Sequence, residues 1–276
     1  MSYQTLIVRR DGNILEITLN RPSKLNALSR QLLDDLRVAI MEEGNAPDVS
    51  VVVIKAAGEV FTVGYDITPD GWIFDEYPAD METVDAIQDH EDIRALLQYW
   101  IDLWKFSKPI IAQVQGMCLS GGNELLAGCD LVVASERAQF GHPAGRDLGI
   151  PPTVFLWPML IGMRKTREML YTAKSLDAHE AHRLGLVNHV VEHDELDAFT
   201  DALATDVART PVGHLQVLKR ATSVFYENMG MFESWDTGAA LDALFHQSST
   251  FLEFFGKVQA DGLGAALAER HERYEA

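Results

Sequence analysis

The 276-residue chain has only two cysteines, Cys118 and Cys129, and so few exclude a disulfide framework; nor do they show the spacing of paired metal ligands. Both read as buried packing residues rather than nucleophiles. Positive charge is scarce as well. The 23 Lys and Arg stand against 41 Asp and Glu, a formal net charge of -18, whereas a surface for nucleic acid or an anionic membrane needs a concentrated excess of Lys and Arg. No uninterrupted apolar run is long enough to cross a bilayer, and the opening MSYQTLIVRRDG lacks the apolar stretch of a secretory signal. The expectation is a cytoplasmic protein with neither a nucleic-acid nor a membrane partner. A G-x-G-x-x-G fingerprint and a Walker A sequence are both missing, so dinucleotide redox chemistry and nucleotide hydrolysis have no support. Ser120 lacks the G-x-S-x-G elbow of a serine hydrolase. His179 and His182 stand three apart but lack a third ligand, and no metal is expected.

What is present is an apolar fraction of 47%, enough for a sizeable buried core. Alternation over 14–19 (ILEITL) and the run 51–54 (VVVI) predict strands, the second buried on both faces. Between them Ser29 can cap a helix whose Leu32, Leu33, Leu36 and Ile40 recur at helical spacing. A second helix is predicted over 93–104, where Leu96, Leu97, Trp100, Ile101 and Trp104 form a wide apolar face that reads as core or interface. Strands follow at 110–114 and 131–134, separated by a glycine-rich turn and a short helix. Alternating strand, turn and helix imply an α/β architecture with parallel strands and crossover helices. From about Glu195 the pattern turns helical, at 197–209, 212–226 and 235–245, which divides the chain into a core of 1–195 and a C-terminal helical region of 196–276. The acidic stretch 66–92 reads as a solvated surface excursion, with a lid as the alternative.

Two loops each follow a predicted strand and offer backbone to a ligand: GEVFTVGYD (58–66) and QGMCLSGGNELLAGCD (115–130). In the second, Gly121 and Gly122 precede Glu124 in what reads as the first turn of a helix. Free N–H groups there favour a developing negative charge, and glycine permits their close approach.

Together the loops resemble the enoyl-CoA hydratase/isomerase (crotonase) family. The resemblance is carried by LNRPSKLNALS (19–29), FTVGYDI (61–67), KPIIAQVQGMCLSGGNELLAGCDLVVASERAQFG (108–141) and EAHRLGLVNHVV (180–191). It implies a spiral of strand–strand–helix turns, with a C-terminal helical region that forms homotrimers or dimers of trimers. It also implies a coenzyme A thioester as substrate, with no further cofactor. The backbone N–H groups of Tyr65 and Gly121 would hold the thioester oxygen, and Glu124 would be a catalytic acid/base. Tyr65 stands where the family usually has a small residue. Arg21, Lys24 and the segment Asn26, Ala27 and Leu28 would line the pantetheine and phosphate path, with Asp66 and Ile67 near the adenine. Phe254 and Lys257 could reach a neighbouring subunit's nucleotide.

The loop QFGHPAGRDLGIPPT (139–153) departs from the pattern. The family's second glutamate would follow Pro143, where this chain has Ala144. Hydration uses two carboxylates about one water, whereas a single base suffices to move a proton between carbons. Asp147 is the nearest replacement acid, although Arg146 beside it could draw it into an ion pair, and His142 reads as structural. His142 and Ala144 are expected at the acyl pocket. Hydration of a 2-enoyl-CoA is the leading expectation, with double-bond isomerisation by Glu124 alone behind it. Hydrolysis or carbon–carbon cleavage of a CoA thioester, and a non-catalytic acyl-CoA-binding subunit, stay open.

Overall fold

The computed structural model describes residues 3–68, 71 and 84–275. Most of the acidic stretch 66–92 therefore lies outside the described residues. Among the described residues nine strands form two sheets. In the larger, the order is β1 (Leu6–Asp11), β2 (Ile14–Leu19), β3 (Val51–Ala56), β4 (Ile110–Val114), β6 (Leu131–Ser135) and β9 (His189–Val191). Only the β1–β2 hairpin is antiparallel; the other pairs are parallel, as crossover connections require. The smaller sheet joins β5 (Met117–Leu119), β7 (Gln139–Gly141) and β8 (Leu176–Asp177).

The period-two pleat sorts the apolar run of β3 onto both faces of the sheet. Val52 and Ile54 join the main core with Leu15, Ile17, Ala112 and Val132. Val51 and Val53 join Ile14, Ile111 and Val133 in a second core on the opposite face. That second face is covered by α7 (Leu196–Ala208), through Leu196 and Ala204. The first is covered by α1 (Arg30–Val38), α2 (Ala86–Lys105) and, further along the chain, α9 (Met231–Phe245). Ser29 caps α1 as its sequence suggests, its hydroxyl accepting from the Leu32 N–H at 3.3 Å.

α2 begins seven residues before the predicted start, because Asp85 accepts from the N–H groups of Ile87 and Gln88 at 2.9 and 3.2 Å. Its first turn, with Ile87 79% exposed, is too polar and solvated to announce itself by apolar spacing. Residues 196–275 carry α7, α8 (Val212–Asn228), α9, α10 (Ser249–Asp261) and α11 (Leu263–Glu275). Met231, Trp235, Ala239 and Ala243 of α9 belong to the same core as the strands. Among the described residues no helix is long and apolar enough to cross a membrane.

Candidate active site

The two glycine-containing loops meet. Thr62 donates its N–H to Met117 O at 3.1 Å and accepts from the Leu119 N–H at 3.0 Å, which fastens the first loop to β5. On its other side Leu28 gives its N–H to Gly64 O at 2.8 Å and takes the Asp66 N–H at 3.1 Å. Gly64 has φ +96°, and a Cβ there would fall 2.8 Å from Ser120 Cβ and 2.9 Å from Leu119 O, so the approach of the loops needs glycine. Ser120 itself turns the chain into α3 (Gly121–Ala127) at φ 47° and ψ -119°, a conformation that non-glycine residues seldom adopt. Asn123 holds that turn, donating to Cys118 O at 3.1 Å and Gly141 O at 2.9 Å. With the neighbouring amides tied up in this way, the N–H groups of Tyr65 and Gly121 have no acceptor among the described residues.

Every residue of α3 is buried, Glu124 included. Its Oε2 accepts from the Tyr65 hydroxyl at 2.9 Å, and that hydroxyl accepts from Trp100 Nε1 at 2.9 Å. Burial drives the Glu124 carboxyl up to about 8; the Tyr65 hydrogen bond works against the rise, and the neighbouring Asp242 charge adds to it. Near neutral pH Glu124 is therefore largely a neutral acid. The Tyr65 ring lies over Gly121, where a Cβ would meet Tyr65 Cε2 at 2.8 Å. A side chain at 121 would displace the ring that orients Glu124.

A cavity of about 580 Å³ opens over these groups. Its wall is mostly apolar, with Ile93 and Leu96 of α2, Leu119, Ile150, Phe251 and Phe255 of α10, and Leu263 and Leu267 of α11. Its polar members include Glu124, His142, Asp242 and His246. His142 and Ala144 thus border the cavity where the sequence puts the acyl pocket. The His142 ring donates from Nε2 to Gly149 O at 3.1 Å, and burial lowers its pKa to about 4, so it is a neutral residue that braces the loop.

Asp147 stands differently from the acid the sequence offers. Its carboxylate is gripped from two sides by Arg270 of α11, through Nε at 2.7 Å and also through Nη2, and it is absent from the cavity wall. The ion pair foreseen with Arg146 forms instead with Arg270, because Arg146 donates to Thr172 O at 2.6 Å. Lys24, Ala27, Asp66 and Ile67 border the cavity. Arg21 pairs with Asp66 at 2.9 Å and donates to Ala27 O at 2.5 Å. Asn26 is buried, donating to Ala57 O and Val60 O, and Leu28 is wholly buried; both frame the path. Phe254 and Lys257 lie beside Asp147 and Arg270 around a separate small recess, and Lys257 pairs with Glu269 at 2.7 Å. Sequence reasoning missed four side chains here: Trp100, taken only as core, and the linked trio Asp89, Asp242 and His246. The signal was available for Asp242 and His246, which recur with Trp235 and Ala239 on the buried face of α9.

Comparison with known proteins establishes the family. The enoyl-CoA hydratase/isomerase family model matches residues 9–248. A short-chain-enoyl-CoA hydratase of Clostridium acetobutylicum is 32% identical over 98% of this chain and 97% of its own. A crotonyl-CoA hydratase of Syntrophomonas wolfei is 31% identical over 99% of both. Among solved structures, an enoyl-CoA hydratase/isomerase from Xanthobacter autotrophicus superposes with a TM-score of 0.88 at 29% identity, covering all of both chains. The family model, the full-length relatives and the shared fold agree, and the chain belongs to the enoyl-CoA hydratase/isomerase family.

Proposed function

We propose that the protein hydrates 2-enoyl-CoA thioesters. The observation that carries this reading is the pair of acceptor-free N–H groups, Tyr65 and Gly121, brought together beside a buried Glu124 in a cavity large enough for an acyl chain. A thioester oxygen held by two such donors can accept the electron pair displaced when a nucleophile adds at C3, and the donors stabilise that oxyanion without reorganising. Glu124, largely protonated near pH 7, then supplies the proton at C2. The apolar wall excludes bulk water and strengthens each of these interactions.

Lys24, Arg21, Asp66 and Ile67 are the residues proposed to guide coenzyme A, with Asn26, Ala27 and Leu28 as their frame. Phe254 and Lys257 are retained as candidate contacts to a neighbouring subunit's nucleotide. Assembly into a homotrimer or a dimer of trimers, and a cytoplasmic location, belong to the same proposal. Assembly is supported by Val217, Leu218 and Phe225 of α8 and Leu244 of α9, which are each at least 59% exposed.

A second reading, double-bond isomerisation with Glu124 as sole base, is favoured by one observation: Ala144 and the capture of Asp147 by Arg270 leave the 139–153 loop with no free carboxylate. Crotonyl-CoA separates the two. Hydration appears as loss of the conjugated thioester's absorbance, with 3-hydroxybutyryl-CoA as product. Absorbance that stays constant while CoA binding is retained, together with conversion of a 3-enoyl-CoA to its conjugated isomer, would replace the first reading by the second.

A further inference from the structure

Hydration needs a group to take the proton of the attacking water, and the loop that usually carries it has none. The neighbouring helical part of the cavity wall does. Asp242 of α9 and His246, the residue that caps its C-terminus, both line the cavity together with Glu124. Asp242 is fixed from three sides. Its Oδ1 accepts the Ile150 N–H at 2.7 Å and lies 3.7 Å from His246 Nε2, while Gly149 packs so closely that a Cβ there would fall 2.6 Å from that oxygen. His246 in turn gives Nδ1–H to Asp89 of α2 at 2.8 Å and stacks on Phe251 with centroids 4.2 Å apart. Asp242 Oδ2 has no hydrogen-bond partner among the described residues. A carboxylate set in place through one oxygen, with the other unengaged beside an apolar chamber, is placed as a general base is.

We propose that Asp242 is the second carboxylate of this site, taking the proton of the water that adds to C3 of the enoyl thioester, with His246 and Asp89 as the positioning residues behind it. The proposal rests on the hydratase reading above. The water oxygen bonds to C3 as its proton passes to Asp242. The C2–C3 π pair becomes the C1–C2 π bond of the enolate as the carbonyl π pair moves onto the thioester oxygen, and the enolate then collapses by taking a proton from Glu124 at C2. Water has been added across the double bond with no change of oxidation state, and exchange with solvent returns the proton from Asp242 to Glu124.

The electrostatics are consistent with that division. Burial raises Asp242 to about 6, the charge of His246 opposes the rise, and Glu124 lies higher, at about 8. Two carboxyls whose environments push their pKa values apart divide into a base and an acid. The charged and titratable groups around Asp242 are His246 on its own helix, Asp89 of α2, Glu124 of α3, Tyr65, and Arg270, which borders the same cavity but is held by Asp147.

The test compares two reactions of full-length Asp242→Asn: hydration of crotonyl-CoA, and exchange of the C2 protons of butyryl-CoA for solvent deuterium. The second reaction needs Glu124 and the N–H pair but no activated water. We expect kcat for hydration to fall on the order of 10²- to 10³-fold, with KM and C2 exchange close to wild type. Hydration that persists, or hydration and exchange that fall together, overturns the proposal. Wild-type protein that does not exchange overturns the reading of Glu124 and the N–H pair, and the proposal with it. Should the Asn variant not fold, His246→Gln carries the test. Loss of the neighbouring cation raises the pKa of Asp242, so the acidic limb of kcat moves to higher pH by about one unit; an unmoved limb overturns the assignment.

Discussion

The two walls of the cavity are built on different principles. On one side, residues 61–65 and 119–124 present backbone amides and the carboxyl of Glu124, fixed by tight turns and interloop hydrogen bonds. On the other, α9, packed onto the strand core and onto α2, presents Asp242 and, at its C-terminal end, His246, while α10, packed onto α11, presents Phe251 and Phe255. The first wall depends on local sequence, because a turn that admits only glycine leaves little choice of residue. The second depends on helical register, and a polar side chain reaches the same cavity from many starting sequences. On the proposed reading, this chain keeps the N–H pair on the first wall while the group that handles water comes from the second.

The largest expected effect lies on the turn-built wall. Glu124→Gln keeps an acceptor for the Tyr65 hydroxyl but removes the carboxyl proton that Glu124 holds beside the N–H pair. We expect kcat for crotonyl-CoA to fall by about 10³-fold with CoA binding retained; unchanged turnover would remove Glu124 from the chemistry. The same variant carries a stability signature. Because folding raises the carboxyl from its ordinary 4.5 to about 8, the folded wild type binds the proton more tightly than the unfolded chain. Wild-type stability is thus greatest below the unfolded value and declines as pH rises towards 8. The Gln variant should melt at a higher temperature than wild type, with a gap that widens across that interval and flattens above it.

How far these walls could be read beforehand follows from the same contrast. The turn at Gly121 and the helix start that carries Glu124 were legible because a glycine-rich turn between a strand and a helix leaves a fixed pattern, whereas Tyr65 was placed by resemblance to the family alone. The apolar runs 14–19 and 51–54 were legible because a buried strand has few other compositions. The start of α2 was not, since it depends on a single Asp85 cap and a solvated first turn. Asp89, Asp242 and His246 were not singled out because their chemistry exists only once α2 and α9 pack together. Yet the 235, 239, 242, 246 register of α9 places an acid and an imidazole among core positions, where an unpaired charge is costly. A buried helical face interrupted by a matched acid and histidine is a sequence signal in its own right.

A smaller effect probes the link between the walls. The Tyr65 hydroxyl joins α3 to α2, donating to Glu124 and accepting from Trp100. Tyr65→Phe removes both bonds and leaves the Trp100 N–H buried without an acceptor, at a cost of about 1–3 kcal/mol. The lost hydrogen bond also stabilised the ionised carboxyl of Glu124, so its pKa rises and the basic limb of the kcat profile moves up. A roughly tenfold loss of kcat with that displaced limb is expected. A profile coincident with wild type would show that Glu124 is oriented by α3 alone.

The smallest catalytic effect is expected at Asp147, and it is the sharpest test of which wall supplies the second acid. Asp147 lies in the loop where the sequence points to such an acid, but Arg270 of α11 closes on it, and both side chains are at least 85% buried. Breaking a buried pair leaves one charge uncompensated, with a cost of about 3 kcal/mol or more. Asp147→Asn should accordingly lower the melting temperature and loosen α11, detectable as faster amide exchange over 263–275, while kcat at a temperature where the variant is folded stays within a few-fold of wild type. Replacing both partners, Asp147→Asn with Arg270→Met, removes the orphaned cation and should recover part of the stability without altering kcat. A large fall in kcat for the single variant, with melting unchanged, would return the second acid to the 139–153 loop and leave α9 as framework.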